Sequence, residues 1–404
     1  MEGVRKDGPF ESGSDPQIHI AATPVAWSGE TEEDGCRCPM SVQRGNVTPM
    51  KWTLYPAQTA FESHRALWDD LNRRSSDSAL LESRFVASLL RWTGSKKVFL
   101  AVHVDETRPA LALLERRRFG AWQTFQPSQA PVGLILLSEG TDPAELLGSL
   151  VRSLPGFALE CTILQQDPSI SAFGSVPESE FVSIQKYIDT ARVTIQGTFQ
   201  DYWAGRGREV VENVTKKIRR LERNGIRSEL RVVRDPAEIE VAIREYGRLE
   251  STGWKGKAGT AVEGDNKQGH FYRDVLLDYC QDGHGAVYQL RFNGRIVASK
   301  LTVDRNGTIV FLKTAYDEEF RSDSPGYLLQ YEMFKRIFER GEFQSVEFYG
   351  RLLVGWTDRW SGDVRSMFHV TYYRHPWVRL ALALLKSVRG AKGRGDPSEA
   401  APHH

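Results

Sequence analysis

The stretch GRIVASKLTVDRNGTIVFLKTAYDEEFRSDSPGYLLQYEMFKRIFERG, Gly294–Gly341, decides the fold. Its first half predicts two strands, Ile296–Val303 and Ile309–Ala315, joined at Asn306-Gly307, a pair that suits a tight hairpin turn. A second such pair, Asn293-Gly294, leads in from strand Ala286–Phe292. The stretch then changes period. Leu328, Leu329, Phe334 and Phe338 fall on one helical face, and Glu332, Lys335, Arg336 and Glu339 on the other. A further strand, Ser345–Tyr349, follows the helix. Three hairpin strands, a helix and a returning strand make an α+β unit. A right-handed crossover through the helix makes the third strand and the returning strand parallel neighbours.

Between strand and helix lies Arg321-Ser-Asp-Ser-Pro-Gly326. Ser324 as N-cap and Pro325 in the first turn suffice to start a helix. They do not call for Arg321, nor for Gly326. A helix start offers amides without partners and partial positive charge, so it suits phosphate. Glycine lets a ligand come close to the backbone, and arginine adds a planar fork of donors. The turn alone allows two readings, a capped surface helix or a diphosphate cradle.

Working outward, the same order of elements occurs twice. Upstream of the quoted stretch the pattern predicts a charged helix over Phe199–Asn224 and a strand over Glu229–Val233. A helix from Asp235-Pro236 to Leu249 and another over His270–Asp282 follow. In the first half, WTLY (Trp52–Tyr55) reads as a strand, and Ala57–Asn72 and Leu80–Trp92 as helices. Strands follow at Val98–Val104, Ala110–Glu115, Trp122–Phe125 and Val132–Leu137. A helix capped by Asp142 runs to Leu154, and strand Phe157–Leu164 ends the set. The expected layout is an extension without periodicity over 1–49, an N-terminal unit over 50–195, a C-terminal unit over 196–376, and a basic helix and tail over 377–404.

The chain has 404 residues, 40% apolar and 26% charged, with a formal net charge of +1. Such a composition belongs to a globular protein with ample core. Near-neutral charge argues against a nucleic-acid partner gripped by overall attraction. The N-terminus has no apolar signal core, and no run reaches the ~18 apolar residues of a membrane span, so a cytoplasmic protein is expected. Cys36 and Cys38 lack a second ligand pair nearby, so no metal is expected.

The second half resembles the GNAT superfamily of acyl-CoA-dependent acyltransferases. More closely it is similar to the double-GNAT branch of CelD-like cellulose-biosynthesis proteins, related to FemABX-type aminoacyl transferases. The resemblance rests on FQDYWAGRGREVVENVTKKIRRLERNG (Phe199–Gly225), ESTGWKGKAGTAV (Glu250–Val262) and the quoted stretch. It covers about 198–373; for 51–165 it rests on element order alone. It implies two tandem GNAT-like units, each a mixed, mostly antiparallel sheet flanked by helices. It implies acyl-CoA as co-substrate, its diphosphate at the Ser-Pro-Gly turn and its pantetheine arm between two splayed strands. Carried over by position, the cofactor-binding residues are Thr314, Ala315, Arg321, Ser324, Gly326 and Tyr327. The turn departs from the family's stricter Arg/Gln-x-x-Gly-x-Gly/Ala spacing, which leaves the individual phosphate ligands open.

The loop GWKGKAGTAVEGD carries Trp254 and Lys255 among glycines, a composition that suits a lid over an anionic or sugar-like ligand. Trp254, Lys255 and Asp265 are the expected substrate contacts. Acyl transfer to an amine requires a proton acceptor, oxyanion stabilisation and a departing thiolate. Glu347, Glu263 or Asp265 are candidate bases, and Tyr316 or Tyr349 candidate proton donors. Lys313 either faces the thioester or sits at a strand edge. No Ser/His or Cys/His nucleophile pattern is present, so direct attack in a ternary complex is expected. The acceptor expected is a small amine or amino sugar in polysaccharide or envelope assembly. Two alternatives stand beside this: a peptidyl transferase using aminoacyl-tRNA, with tRNA as partner, and a non-catalytic scaffold. HPWVRLALALLKSVRGAKGRG (His375–Gly395) pairs an apolar stretch with cations and no acid, so peripheral membrane contact through 377–395 is a further expectation.

Overall fold

One mixed sheet of thirteen strands runs through both halves of the chain, with helices on both faces. The computed structural model describes residues 51–393 except 104, 106–107, 252–265 and 354–355. The first half contains β1 (Trp52–Pro56), α1 (Ala57–Arg74), α2 (Ser83–Thr93), β2 (Val98–His103), β3 (Ala110–Arg118) and β4 (Ala121–Thr124). It continues with β5 (Ile135–Leu137), α3 (Pro143–Ser153), β6 (Glu160–Gln166) and β7 (Val182–Thr194). The second half contains α4 (Phe199–Ala204), α5 (Arg208–Arg223), β8 (Ser228–Val233), α6 (Pro236–Ser251), α7 (Lys267–Gln281) and β9 (Gly285–Phe292). Then come β10 (Arg295–Arg305), β11 (Thr308–Tyr316), α8 (Pro325–Arg340), β12 (Ser345–Glu347), β13 (Asp363–Tyr373) and α9 (Pro376–Gly393).

The repeated order read from the sequence is present. Hairpins turn at Asn293-Gly294 and Asn306-Gly307, and all four of these residues have positive φ. The crossover geometry also holds: β11 and β12 are parallel, and so are β4 and β6 in the first half. Two local readings are corrected, and two strands are added. The helix expected over Phe199–Asn224 is two helices, α4 and α5, divided at Gly205-Arg206-Gly207. There the Arg206 guanidinium donates to the carbonyls of Tyr202 and Trp360, fixing the bend. The strand expected over Val132–Leu137 begins only at Ile135 and branches from β3. Two long strands, β7 and β13, had no counterpart in the sequence reading.

Those two strands join the halves. The sheet order is β1-β2-β3-β4-β6-β13-β7-β12-β11-β10-β9-β8. Thus β13, from the second half, extends the first half by pairing with β6. In return β7, from the first half, extends the second by pairing with β12. The two exchanged strands pair antiparallel at the centre, from Asp363↔Arg192 to Tyr372↔Val182. The sheet therefore does not stop at the expected boundary near residue 195.

The faces are covered differently. Helices α1, α2, α6 and α7 share one continuous core across both halves. Phe85 of α2 meets Phe271 of α7 edge-on at 5.5 Å, and Tyr279 Oη donates to the Ala79 carbonyl at 2.5 Å. On the other face α3 covers the first half, and α4, α5 and α8 cover the second. Burying the Phe271 ring stabilises the layer between the halves, and its loss leaves a cavity that neighbours fill only partly. Phe271→Ala is expected to cost about 3–5 kcal/mol. Because strands are exchanged, urea unfolding followed by circular dichroism and by tryptophan fluorescence is expected to give one coincident transition. Two separated transitions would contradict this.

Candidate active site

The site grows from a fork in the sheet. β11 and β12 pair only over Thr308↔Ser345, Ile309↔Val346 and Val310↔Glu347. Beyond that, β11 continues to Tyr316 bonded to β10 on its other side. The chain after β12 turns instead toward β7, where the Phe348 and Leu352 amides donate to the Ala191 and Asp189 carbonyls. A bulge in β11 opposite Leu301/Thr302 lies beside the fork. It places Lys313 opposite Leu301 and Thr314 opposite Lys300. Such a bulge re-aims the side chains that follow it. Ala315 accordingly joins the core beneath α6 and α7, whereas Tyr316 lies toward α8.

On the α8 side, the expected turn residues lie close together, but two details differ from expectation. Ser324 occupies the N-cap position with φ 53° and ψ 53°, and its side chain makes no capping bond. The left-handed backbone is costly for a serine, about 1–2 kcal/mol. Pro325 brings no amide of its own, and the Gly326 amide lies too early in the helix to have an intrahelical acceptor. The equivalent helix start in the first half is closed: the Asp142 carboxylate accepts from the Ala144 and Glu145 amides. The second difference is Trp356. A side chain at Gly326 would meet the Trp356 ring at 3.3 Å and Tyr316 at 3.8 Å. Tyr327 packs edge-on to the same indole at 4.5 Å. The open side of Gly326 is thus covered by an indole. Arg321 is exposed beside this turn. From α5, the Lys217 ammonium donates to the Ser322 carbonyl, and Arg220 lies 3.5 Å from Asp323.

Beneath α8 lies Lys300, fully buried on β10. It donates to Gln330 of α8 and sits 3.8 Å from the centre of the Phe311 ring. Burial pushes its ammonium down to about 7.

On the opposite face two polar clusters meet the fork. Lys313 lies 3.7 Å from Glu250, a carboxylate buried at the end of α6, and Tyr246 Oη is 3.4 Å from the same group. Burial, then the Glu250 charge, pushes the Tyr246 phenol well above its ordinary range. Glu250 escaped the sequence reading. Its signal was spacing: Ile239, Ile243, Tyr246 and Glu250 share one helical stripe, so the carboxylate continues an apolar face.

The second cluster is a row of charges across three adjacent strands and the turn that follows β6. Arg365 donates to both oxygens of Asp167 at 2.9 and 2.5 Å and to Glu347 at 2.7 Å. Arg192 donates to the other Glu347 oxygen at 2.6 Å. Burial raises the Glu347 carboxyl, and the two guanidinium groups work against that rise. Burial also opposes charge on Asp167, but the hydrogen bond from Arg365 and its charge hold that carboxyl below its usual range. Both oxygens of Glu347, one of three candidate bases in the sequence, are thus engaged by guanidinium groups. Tyr349 follows at φ 47°, with Arg365 5.5 Å from its ring centre. Burial, then Asp167 and Glu347, pushes its phenol far up, so it stays protonated at neutral pH. Glu347, Tyr349, Val310 and Arg192 line a cavity of about 360 Å³, closed from the first half by Asp77 and Ile170.

Of the expected residues, Thr314, Tyr316, Arg321, Ser324, Gly326 and Tyr327 gather at the end of β11 and the start of α8. Lys313, Glu347 and Tyr349 lie toward the other face. Trp254, Lys255, Glu263 and Asp265 lie outside the described residues, as do residues 1–49. Among the described residues no group of three or more His, Cys, Asp or Glu is placed to hold a metal ion. No helix among them is long and apolar enough to cross a membrane.

This is the architecture of a GNAT-type acyltransferase in two GNAT-like halves. Residues 208–384 match the family described as acetyltransferase (GNAT) domain, which together with the fold supports an acyltransferase. Among solved structures, it is similar to the C-terminal domain of what is described as a lysylphosphatidylglycerol synthetase from Agrobacterium fabrum. That match has 14% identity over 81% of this chain and 96% of the other, with a TM-score of 0.52. FemX matches with 11% identity over 78% of this chain and 98% of its own, also at 0.52. A tandem GNAT protein of the clavulanic acid biosynthesis pathway matches at 12% over 80% and 98%, with a TM-score of 0.41. At these identities the likeness concerns the fold. Among curated proteins none matches the chain.

The buried Lys300 gives a pH-dependent expectation. Its ammonium titrates near 7 when folded and near 10.5 when unfolded. Below pH ~7 the folded state carries the full cost of a buried charge; between those values the cost shrinks, and above them it is gone. Lys300→Met combined with Gln330→Leu is therefore expected to stabilise the protein by about 1–3 kcal/mol near pH 7. The gain should fade as pH rises toward 10.5. Thermal melts across that range check it, and a gain independent of pH would contradict it.

Proposed function

We propose that the protein transfers an acyl group from a coenzyme A thioester to an amine held at the seam between its halves. One observation carries this reading: pairing of β11 and β12 stops at Val310–Glu347, and at the far end of the freed β11, beside Tyr316, α8 begins without a side-chain cap. A diphosphate is suited to that start. The Gly326 amide lacks a helical acceptor, Ser324 leaves the end open, and Arg321 stands beside it. The first half does not offer the same, because Asp142 already occupies its helix start. Thr314, Ala315 and Tyr327 would complete the cofactor contacts, with Trp356 moving off Gly326 as the diphosphate enters.

When bound, the thioester supplies an already activated acyl group, so the chain's own residues have to place the amine and manage protons. The cavity beside Glu347 and Tyr349 reaches the fork from the face opposite α8. Its volume of about 360 Å³ is within the range of small-molecule sites. Glu347, locked by two arginines, shapes and polarises this wall rather than accepting the proton. Glu250, beside Lys313 of β11, is the proton acceptor proposed in its place, and Tyr349, which lines the cavity, is a donor candidate. Tyr316 is a second donor candidate on the α8 side. Trp254, Lys255 and Asp265 remain the proposed substrate contacts from the loop after α6. The acceptor proposed is an amino sugar in polysaccharide or envelope assembly, a reading that rests on the likeness to CelD-like proteins.

Thiol release from acetyl-CoA in the presence of an amino sugar, read with a thiol reagent, tests the proposal. Arg321→Ala should weaken coenzyme A binding about tenfold or more, as the loss of one charge-assisted contact implies. Calorimetry that shows no coenzyme A binding by the unaltered protein would overturn the reading. So would transfer that proceeds only from charged tRNA.

A further inference from the structure

Five large apolar side chains are the most exposed of their kind among the described residues: Phe119, Phe157, Trp377, Leu380 and Leu384, at 58–76%. They are not scattered. Phe119 adjoins Gly120, whose carbonyl accepts from the Leu159 amide, and the Leu159 carbonyl accepts from the Arg374 amide. The Arg374 guanidinium stacks 4.9 Å from the centre of the Phe157 ring. Trp377 lies three residues further on and stacks against His375. One edge of the sheet, formed by the ends of the interior strands β3, β4, β6 and β13, thus gathers the β3–β4 turn, the loop after α3 and the start of α9. Trp377, Leu380 and Leu384 share one stripe of that helix, while Val378 on the other side is buried.

The backbone holds part of this display. Phe157 has φ 51°, just after Gly156 at φ 73°. An aromatic residue in the left-handed region is uncommon and unfavourable, so the tertiary structure imposes this outward ring. The charge around it has one dominant sign. Arg116, Arg117 and Arg118 precede Phe119 and are exposed, with Arg118 paired to Glu160. Arg116 lies close to Gly156 and 5.8 Å from the centre of the Phe119 ring. Arg379 holds the loop at Ser179 and Val182 and lies 3.7 Å from Glu178. No Asp or Glu occurs from Val364 to Leu384.

We propose that this edge docks on an anionic lipid bilayer. Phe119, Phe157, Trp377 and Leu380 would enter the boundary between headgroups and acyl chains, and the surrounding arginines would meet lipid phosphates. Either signal alone gives weak attachment; apolar insertion together with a basic patch gives stable peripheral binding. The features project from turns and a helix face, which suits a flat, deformable surface. The inference does not depend on the acyl-transfer reading.

Flotation of the full chain with vesicles tests it. Binding is expected to vesicles of phosphatidylcholine mixed with phosphatidylglycerol, to fall with added salt, and to be absent with phosphatidylcholine alone. Phe119→Ser with Phe157→Ser, and separately Trp377→Ser with Leu380→Ser, should each weaken binding about tenfold or more. Their thermal melts should be unchanged, because these side chains are exposed. Equal binding to both vesicle types, or full binding by the combined four-residue variant, would overturn the proposal. So would a dimer mass by light scattering that the variants abolish without any vesicle binding, which would assign the face to a second copy.

Discussion

The pairing of β7 with β13 is the contact on which the rest of the structure depends. Each strand completes a row begun by the other half, and the two meet antiparallel at the middle of the sheet. The row Asp167–Arg365–Glu347–Arg192 crosses that junction. Buried charges give little net stability over apolar replacements, but they punish wrong register, because a shifted strand would leave a charge unpaired. Here the row fixes which residues of three strands and of the turn after β6 lie side by side. The fork is built on the same positions: Glu347 is both the last paired residue of β12 and the centre of the row. Register at the seam and geometry at the candidate site are thereby one constraint.

Much of the fold was legible from strong local signals. Asn-Gly turns, the Asp142 cap and the helical spacing of α8 each need only a few neighbouring residues. The exchanged strands were not legible, for a physical reason. β7 reads VSIQKYIDTARVT, and its middle is exposed over Gln185–Tyr187, so no clean alternation marks it. β13 carries Arg365, which on spacing alone resembles an exposed position but is half-buried because Asp167 and Glu347 await it. A strand whose partners lie in the other half of the chain shows its logic only after those partners are placed.

The site was legible to a similar degree. The turn from Arg321 to Gly326 declared itself by carrying more than a helix start needs. The sequence read Ser324 as the cap and Gly326 as space for a ligand; the structure leaves the serine uncapped and lays Trp356 across the glycine. Glu347 was noticed for its chemistry, yet its two arginines lie more than a hundred residues and eighteen residues away, respectively. Glu250 was passed over because a carboxylate near a helix end is ordinary, and only its place on an apolar stripe distinguished it. In each case the residue type was visible while its partner was not.

The strand exchange also has a consequence for synthesis. The first half leaves the ribosome with the outer edge of β6 waiting for β13, which begins only at Asp363, after every other strand of the sheet has emerged. Until then that edge and the free β7 are open to pairing with other chains, a hazard for any nascent sheet. A chain cut before Asp363 would therefore be a fragment whose sheet has an unfilled place between β6 and β7.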